Sequence, residues 1–444
     1  MARPKILFFA RGYQADYFPT LQSDAFEAVF VTLTRKEKAK AEQRGVHVEA
    51  CFEAEFDTLT AAPVPAGYLA TSLMADRFLG RFSITERADL LGRMIAFWTS
   101  LLDAHSPVAV VNELVAIEIS EVLLIEARRR DIRYLAAMNC VVDDWFYWLA
   151  DPLTLTGAHL ELPQPDDAAI AAARDYVQQL HASDYKPFYV KNLSGRWALR
   201  PLAVGLARWL LWQWRIRASS IFHYEDYREE YGKRLGIALR SLFLRYDRLE
   251  DIPADVEVVF YPLHQEPEAT LNYMSAFYAN QVGTIENILK CLTPQQVLVV
   301  KEHPVDKGAL LRPKFHAVRK ACSGLYFLPA EVHGRQVLRR AARVVTLTST
   351  VGWEAAAIGR TVYVLGQIFY DHFKGVQRIS GFEALRAKLH APATGSPATS
   401  ADLEDFVARM MAASYPGNPF PHAGLYSDEN RAKVLHAITD AALG

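Results

Sequence analysis

Cysteine is scarce in this chain. Its four residues, Cys51, Cys140, Cys291 and Cys322, lie far apart with no CxxC and no metal-ligand spacing. That scarcity excludes a disulfide scaffold and a thiolate zinc site, and predicts a reduced, cytoplasmic protein with no bound metal. Excess charge of either sign is missing too: 49 Lys and Arg stand against 50 Asp and Glu, a formal balance of −1, so nothing argues for nucleic acid as a partner. The basic run Arg128, Arg129, Arg130 reads instead as a helix end, where cations complement the dipole. The opening MARPKILFFARG lacks a signal-peptide layout. The most apolar segment, residues 201–214, is interrupted by Arg208 and is too short to cross a bilayer. It reads as a buried amphipathic helix under a domain interface, with a helix lying on a membrane surface as the alternative. No nucleophile elbow, Walker loop or HExxH occurs, which argues against hydrolase, kinase and zinc chemistry. The segment ARGYQAD (10–16) has a single glycine and is no dinucleotide fingerprint.

What is present is a globular composition, 51% hydrophobic and 22% charged, on 444 residues, too many for one ordinary core. Apolar runs alternate with helical patterns in both halves. KILFFA (5–10), FEAVFVTL (26–33), PVAVV (107–111) and IRYLAA (132–137) read as strands, with helices over 35–43, over 84–105 and through Arg130 between them. In the second half VEVVFYPL (256–263), VLVVK (297–301), GLYFL (324–328), RVVTLT (343–348) and TVYVLG (361–366) read as five strands of a doubly wound sheet. Helices separate them, the last from about Trp353 to Ile358. The expected fold is α/β, two Rossmann-like domains facing a cleft, as in GT-B type proteins. Its parts are an acceptor-side domain over 1–250, a nucleotide-binding domain over 251–425 and a closing helix over 426–444.

Chemistry is expected at the carboxyl ends of the strands. The corner YPLHQEPEA (261–269) gathers His264, Gln265, Glu266 and Glu268, side chains suited to acid, base or ribose contacts. KEHP (301–304) puts Lys301 and His303 where a departing phosphate could be neutralised. In TLTSTVGWEAAAIG (346–359), Thr348, Ser349 and Thr350 follow a strand. Gly352 is expected to let the backbone approach a ligand, and the helix starting there to point its free N–H groups at an anion. Glu354, in the first turn, is then placed to bond a ribose hydroxyl. A capping box explains Thr350 and Glu354 but not the Ser/Thr cluster or the glycine. In the first half, VVNELVAIE (110–118) sets Asn112 and Glu113 in a strand-end corner, Glu113 being the better-placed carboxylate and Glu118 a helix-face residue. Asp143, Asp144 and Asp226 read mainly as solvated loop charges.

Taken together, YPLHQEPEA, KEHP and TSTVGWEAAAIGRTVYVLGQIFYD resemble the bacterial capsule-polysaccharide and lipopolysaccharide O-antigen enzymes that transfer Kdo, an acidic eight-carbon sugar, from CMP-Kdo. The resemblance spans about residues 256–372. The same corners look like those of CMP-dependent sialyltransferases. It implies a cytoplasmic glycosyltransferase, peripheral to the inner membrane or to polysaccharide assembly proteins, acting on a glycan or glycolipid acceptor. It also implies that His303 contacts the CMP phosphate, that Ser349 and Thr350 hold phosphate oxygens, and that Glu354 binds the ribose. One phosphate as leaving group calls for no metal or other cofactor. The retention attributed to this family implies a carboxylate nucleophile and a covalent sugar adduct. Asp226, Glu113 and Glu266 are the candidates, with Asp226 slightly preferred and His264 as acid/base partner. A transferase of another nonulosonic acid, a UDP-sugar enzyme and a non-catalytic glycan-binding component of capsule export are the rival readings.

Overall fold

The computed structural model describes residues 3–65, 82–153, 163–181, 240, 245–266, 268–392 and 398–444. Asp226 and the apolar segment 201–214 lie outside the described residues. Thirteen strands form two sheets among the described residues.

The first sheet is built on β1 (Lys5–Ala10), β2 (Glu27–Thr32), β3 (Val48–Cys51), β4 (Ala109–Asn112) and β5 (Arg133–Asn139). β6 (Trp145–Trp148) and the two-residue β13 (Tyr415–Pro416) complete it, in the order β13-β6-β5-β4-β1-β2-β3. β1 to β5 pair in parallel, and their buried centres, such as Ile6–Ala10 and Val110, are the near-continuous apolar runs expected of strands covered on both faces. The helix Ile84–His105 starts at a capping box, Ser83 with Glu86, and buries Leu91, Ile95 and Trp98 against this sheet.

The second sheet takes β7 (Glu257–Pro262), β8 (Gln296–Lys301), β9 (Leu325–Leu328), β10 (Ala341–Thr346), β11 (Thr361–Val364) and β12 (Val376–Arg378). Their order is β12-β11-β10-β7-β8-β9, all parallel. The expected five strands are present and β12 is a sixth. Three strand readings in this sheet ran past the real ends: Leu263 follows β7, Leu347 and Thr348 follow β10, and Leu365 and Gly366 follow β11, all as loop.

Two structures bind the halves together. β13 returns the chain to the first sheet, pairing antiparallel with β6, and the helix Asp428–Leu443 packs Val434, Ala437 and Ile438 on the core under β1 and β4. The helix Asp167–His181 lies against the helix Ser400–Ala412 and reaches the second domain: the Tyr176 hydroxyl accepts a 2.9 Å hydrogen bond from Trp353 Nε1. Trp353, buried among Phe369, Tyr370, Phe373 and Phe406, belongs to one apolar cluster that also holds Ala136, Tyr147 and Leu149 of the first half. Trp353→Ala is therefore expected to cost about 3–5 kcal/mol, and Tyr176→Phe about 1 kcal/mol by loss of one buried hydrogen bond, read by chemical denaturation. A Trp353→Ala loss below that of Tyr176→Phe would contradict this packing.

Candidate functional site

Both sheets reverse direction once. From β7 the chain builds outward through β8 and β9, then returns to the other side of β7 with β10, β11 and β12. The crevice between β7 and β10, at their carboxyl ends, is a topological switch point, the ordinary ligand site of an open α/β sheet. The three corners picked out in the sequence follow β7, β8 and β10, which are neighbours, so the fold brings all three together.

His264 stands at the centre. It is buried, with its Nε2 accepting a 3.2 Å hydrogen bond from the Thr348 N–H across the switch point. Burial, with the neighbouring His303 adding to it, pushes its pKa down to about 3. The ring is neutral, and because Nε2 accepts, its proton sits on Nδ1. Its backbone is clamped by the fully buried Gln281: the His264 N–H donates to Gln281 Oε1 (2.7 Å), and Gln281 Nε2 donates to the His264 carbonyl (3.0 Å) and to Glu266 Oε1 (3.0 Å). The other oxygen of Glu266 is held by Lys314 (2.6 Å) and Arg312 (3.5 Å). Glu266 thus ties the corner down, and Arg312 extends the tie to the next corner through Asp306 at 2.7 and 2.9 Å. Gln265 is half-buried beside them and Glu268, pushed up by burial, precedes the short helix Ala269–Asn272.

The KEHP corner is organised by the residue between the two expected ones. Glu302 is buried. Its carboxylate accepts from the Tyr246 hydroxyl (2.7 Å) and from the N–H groups of Gly308 and Leu310 (both 2.9 Å), folding residues 303–310 around itself. Lys301 donates to the carbonyls of Glu302 (3.1 Å) and Ala330 (3.2 Å), and burial lowers its pKa to about 8. His303 Nδ1 accepts from the Val305 N–H at 3.2 Å, and burial, with Lys301 nearby, holds its pKa at about 4. In the free chain His303 is therefore a neutral Nε2–H donor, and neutralising a phosphate there requires the anion itself to favour protonation of the ring.

At the third corner the helix runs Thr350–Ala357 and its cap is Ser349, whose Oγ accepts from the Val351 N–H at 3.2 Å. This corrects three expectations. The cap is Ser349, not Thr350. Glu354 lies one turn deeper than the first turn, so no capping box exists. The space a Cβ on Gly352 would take is filled by the Tyr370 hydroxyl, 2.2 Å from that point, which donates to the Ser349 carbonyl; packing rather than ligand approach requires the glycine. Glu354 is buried, 3.8 Å from Arg335 Nε. Burial outweighs Arg335 and Lys301 and raises its pKa to about 7. Arg335 also donates to the Leu180 carbonyl, so this pair lies where the Asp167–His181 helix meets the second domain.

The first sheet has its own reversal between β1 and β4, and there Arg11 and Glu113 form an ion pair. Glu113 is therefore a paired carboxylate at a switch point, while Asn112 ends β4 and bonds Ser120 (3.2 Å) and Tyr134 (2.8 Å). Glu118 opens the helix Glu118–Arg128 fully buried, not on an outer face. Sequence reasoning passed over Arg11, Gln281, Glu302, Arg312 and Arg335. Only Glu302 carried a signal, an acid between two expected site residues.

Two parallel-rich α/β units, each with one reversal of strand order, form a GT-B type fold. Residues 224–406 match the family model described as capsule polysaccharide biosynthesis protein. None of the curated protein sequences matches. Similar solved structures include Thermosulfurimonas dismutans KpsC, beta Kdo 2,4 transferase, at 14% identity over 75% of this chain and 87% of that one, with a TM-score of 0.34. The KpsC beta Kdo 2,7 transferase of the same organism is 13% identical over 81% and 97%, with a TM-score of 0.33. A putative UDP-N-acetylglucosamine 2-epimerase from Listeria monocytogenes is 13% identical over 99% and 97%, with a TM-score of 0.30.

The Glu354 environment yields a pH prediction. A carboxyl raised from 4.5 to about 7 favours the fold while protonated, and that contribution is lost as pH rises through about 7. Glu354→Gln, which cannot ionise, should gain unfolding temperature over the parent at pH 8 and show little difference at pH 4.5. A difference equal at both pH values would contradict the assignment.

Proposed function

We propose that this protein is a glycosyltransferase that moves Kdo from CMP-Kdo to a bacterial surface polysaccharide or glycolipid. The observation that carries the proposal is the assembly of the three corners around the β7–β10 switch point: a capped helix N-terminus, Lys301, His303 and the buried Glu354 within one crevice of a capsule-polysaccharide family domain. Ser349 and Thr350 with the helix N-terminus hold the phosphate. His303 gains positive charge as that phosphate becomes the leaving group, because an anion beside it offsets the burial that disfavours protonation, and Lys301, still largely protonated at neutral pH, adds its own charge. Glu354 receives a ribose hydroxyl. Such a donor set discharges a monophosphate without a metal, and chelator should leave turnover intact; loss restored by magnesium or manganese would contradict this.

Retention calls for a protein carboxylate that carries the sugar. Glu266, held by Gln281, Arg312 and Lys314, is the poorest nucleophile of the three because its lone pairs are engaged. Asp226 and Glu113 remain, with Glu113 the base if Asp226 is the nucleophile. Peptide mapping after incubation with CMP-Kdo and no acceptor should find the sugar on one of these two. No helix among the described residues is long and apolar enough to cross a membrane; contact with the inner membrane or with assembly proteins is part of the proposal.

A thermal-shift comparison tests the donor base. A ligand at a hundred times its dissociation constant stabilises by about 2.7 kcal/mol, so CMP should shift the unfolding midpoint where UDP and GDP at equal concentration do not. A larger shift with UDP would favour a UDP-sugar enzyme. CMP binding with no release of CMP from CMP-Kdo, whatever the acceptor, would favour a glycan-binding component. Glu354→Ala should weaken CMP binding, whereas His303→Ala should lower kcat more than it weakens binding, since phosphate charge grows only as the bond breaks. Equal losses of affinity with unchanged kcat would reverse these roles.

A further inference from the structure

Three buried polar side-chain atoms at the switch point have no hydrogen-bond partner among the described residues: His264 Nδ1, Ser275 Oγ and Thr348 Oγ1. Their residues are 4%, 3% and 6% exposed. They come from three separate elements and share one neighbourhood. Thr348 bonds the far side of the His264 ring through its N–H. Ser275 Oγ and Thr348 Cγ2 stand 2.5 and 2.9 Å from the point where a Cβ on Gly366 would lie, so both residues line the space that the glycine leaves free. Buried polar groups are seldom left unpaired, because each costs the full desolvation of a donor or acceptor. Three together, next to the cap residue of the eight-residue helix Thr350–Ala357, point to a group from outside the chain.

We propose that His264 is a neutral hydrogen-bond donor to the ligand rather than an acid or base: with its Nε2 lone pair taken by the Thr348 amide, its Nδ1–H and the Thr348 hydroxyl receive an anionic oxygen held at the helix N-terminus. Gln281 positions the imidazole by clamping the His264 backbone on both sides. Ser275 completes the polar wall. This rests on the nucleotide site proposed above and adds two ligand contacts to it, His264 and Thr348. The anionic oxygen belongs either to the phosphate of the donor or to the carboxylate of its acidic sugar.

Two substitutions separate the ring's two nitrogens. His264→Asn keeps an N–H close to the Nδ1 position and gives up the acceptor for Thr348; His264→Gln keeps an acceptor close to Nε2 and gives up the Nδ1–H. By calorimetric titration with CMP, His264→Asn should stay within about threefold of the parent while His264→Gln loses about tenfold or more, the size of one charge-assisted hydrogen bond. Thr348→Val keeps the amide that braces the ring, removes only the hydroxyl, and should also weaken CMP binding several-fold. Unfolding midpoints without nucleotide establish that each variant is folded, and Thr348→Val decides the matter if His264→Gln is not. If CMP affinity is unchanged but CMP-Kdo affinity falls in the same pattern, the oxygen is that of the sugar carboxylate. The inference is overturned if His264→Gln retains affinity while His264→Asn loses it, since the ring would then only brace Thr348, or if neither His264→Gln nor Thr348→Val alters binding of either ligand. Absence of any CMP or CMP-Kdo binding to the parent chain would instead overturn the nucleotide reading, and this inference with it.

Discussion

The site depends on one topological constraint, the reversal of strand order between β7 and β10. Because the chain leaves the two neighbouring strands toward opposite ends of the sheet, their following segments diverge and a crevice opens at their carboxyl ends. The polar corners that follow β7, β8 and β10 are arranged about that crevice. The bond from the Thr348 N–H to His264 Nε2 spans it, and the β8 corner adds Lys301 and His303 on the neighbouring strand. The first domain has the same construction at β1 and β4, where the Arg11–Glu113 pair occupies the equivalent place.

Burial then sets the electrostatics. Polar groups moved out of water lose their charged forms unless a partner compensates, so His264 and His303 are neutral, Lys301 is weakened as a cation and Glu354 is drawn toward neutrality. The rigid parts of the site are hydrogen-bonded brackets rather than exposed charges: Glu302 folds the 303–310 loop, Gln281 fixes the His264 corner, and Arg312 joins the two corners through Asp306 and Glu266. A crevice so poor in net charge before binding responds strongly to an arriving anion, because the anion supplies the field that the protein withholds.

The strands of both sheets were legible because a parallel strand buried on both faces is an uninterrupted apolar run, as in Val297–Val300. Their ends were less so: Leu347 and Thr348 are apolar or β-branched and buried, yet they belong to the loop that binds His264. β3, β6, β12 and β13 were missed because such short strands carry little periodicity, and β13 exists only through its tertiary pairing with β6. The chemical corners were found because polar residues crowd strand ends. Glu354 was placed a turn too early because Gly352 looks like a helix breaker, whereas Ser349 caps the helix ahead of it and Tyr370 packs where a side chain would be. Gln281 and Arg335 sit on helices and Arg312 just ahead of one, and nothing local in the sequence marks what they hold.

Hydrogen exchange measured with and without CMP tests the central claim most directly, because it reports where the nucleotide sits without requiring an acceptor or turnover. Protection should appear in the backbone of residues 261–266, 301–306 and 346–352 together, the three strand ends around the switch point. Protection confined to the first domain, or absent from the 346–352 segment, would contradict the account.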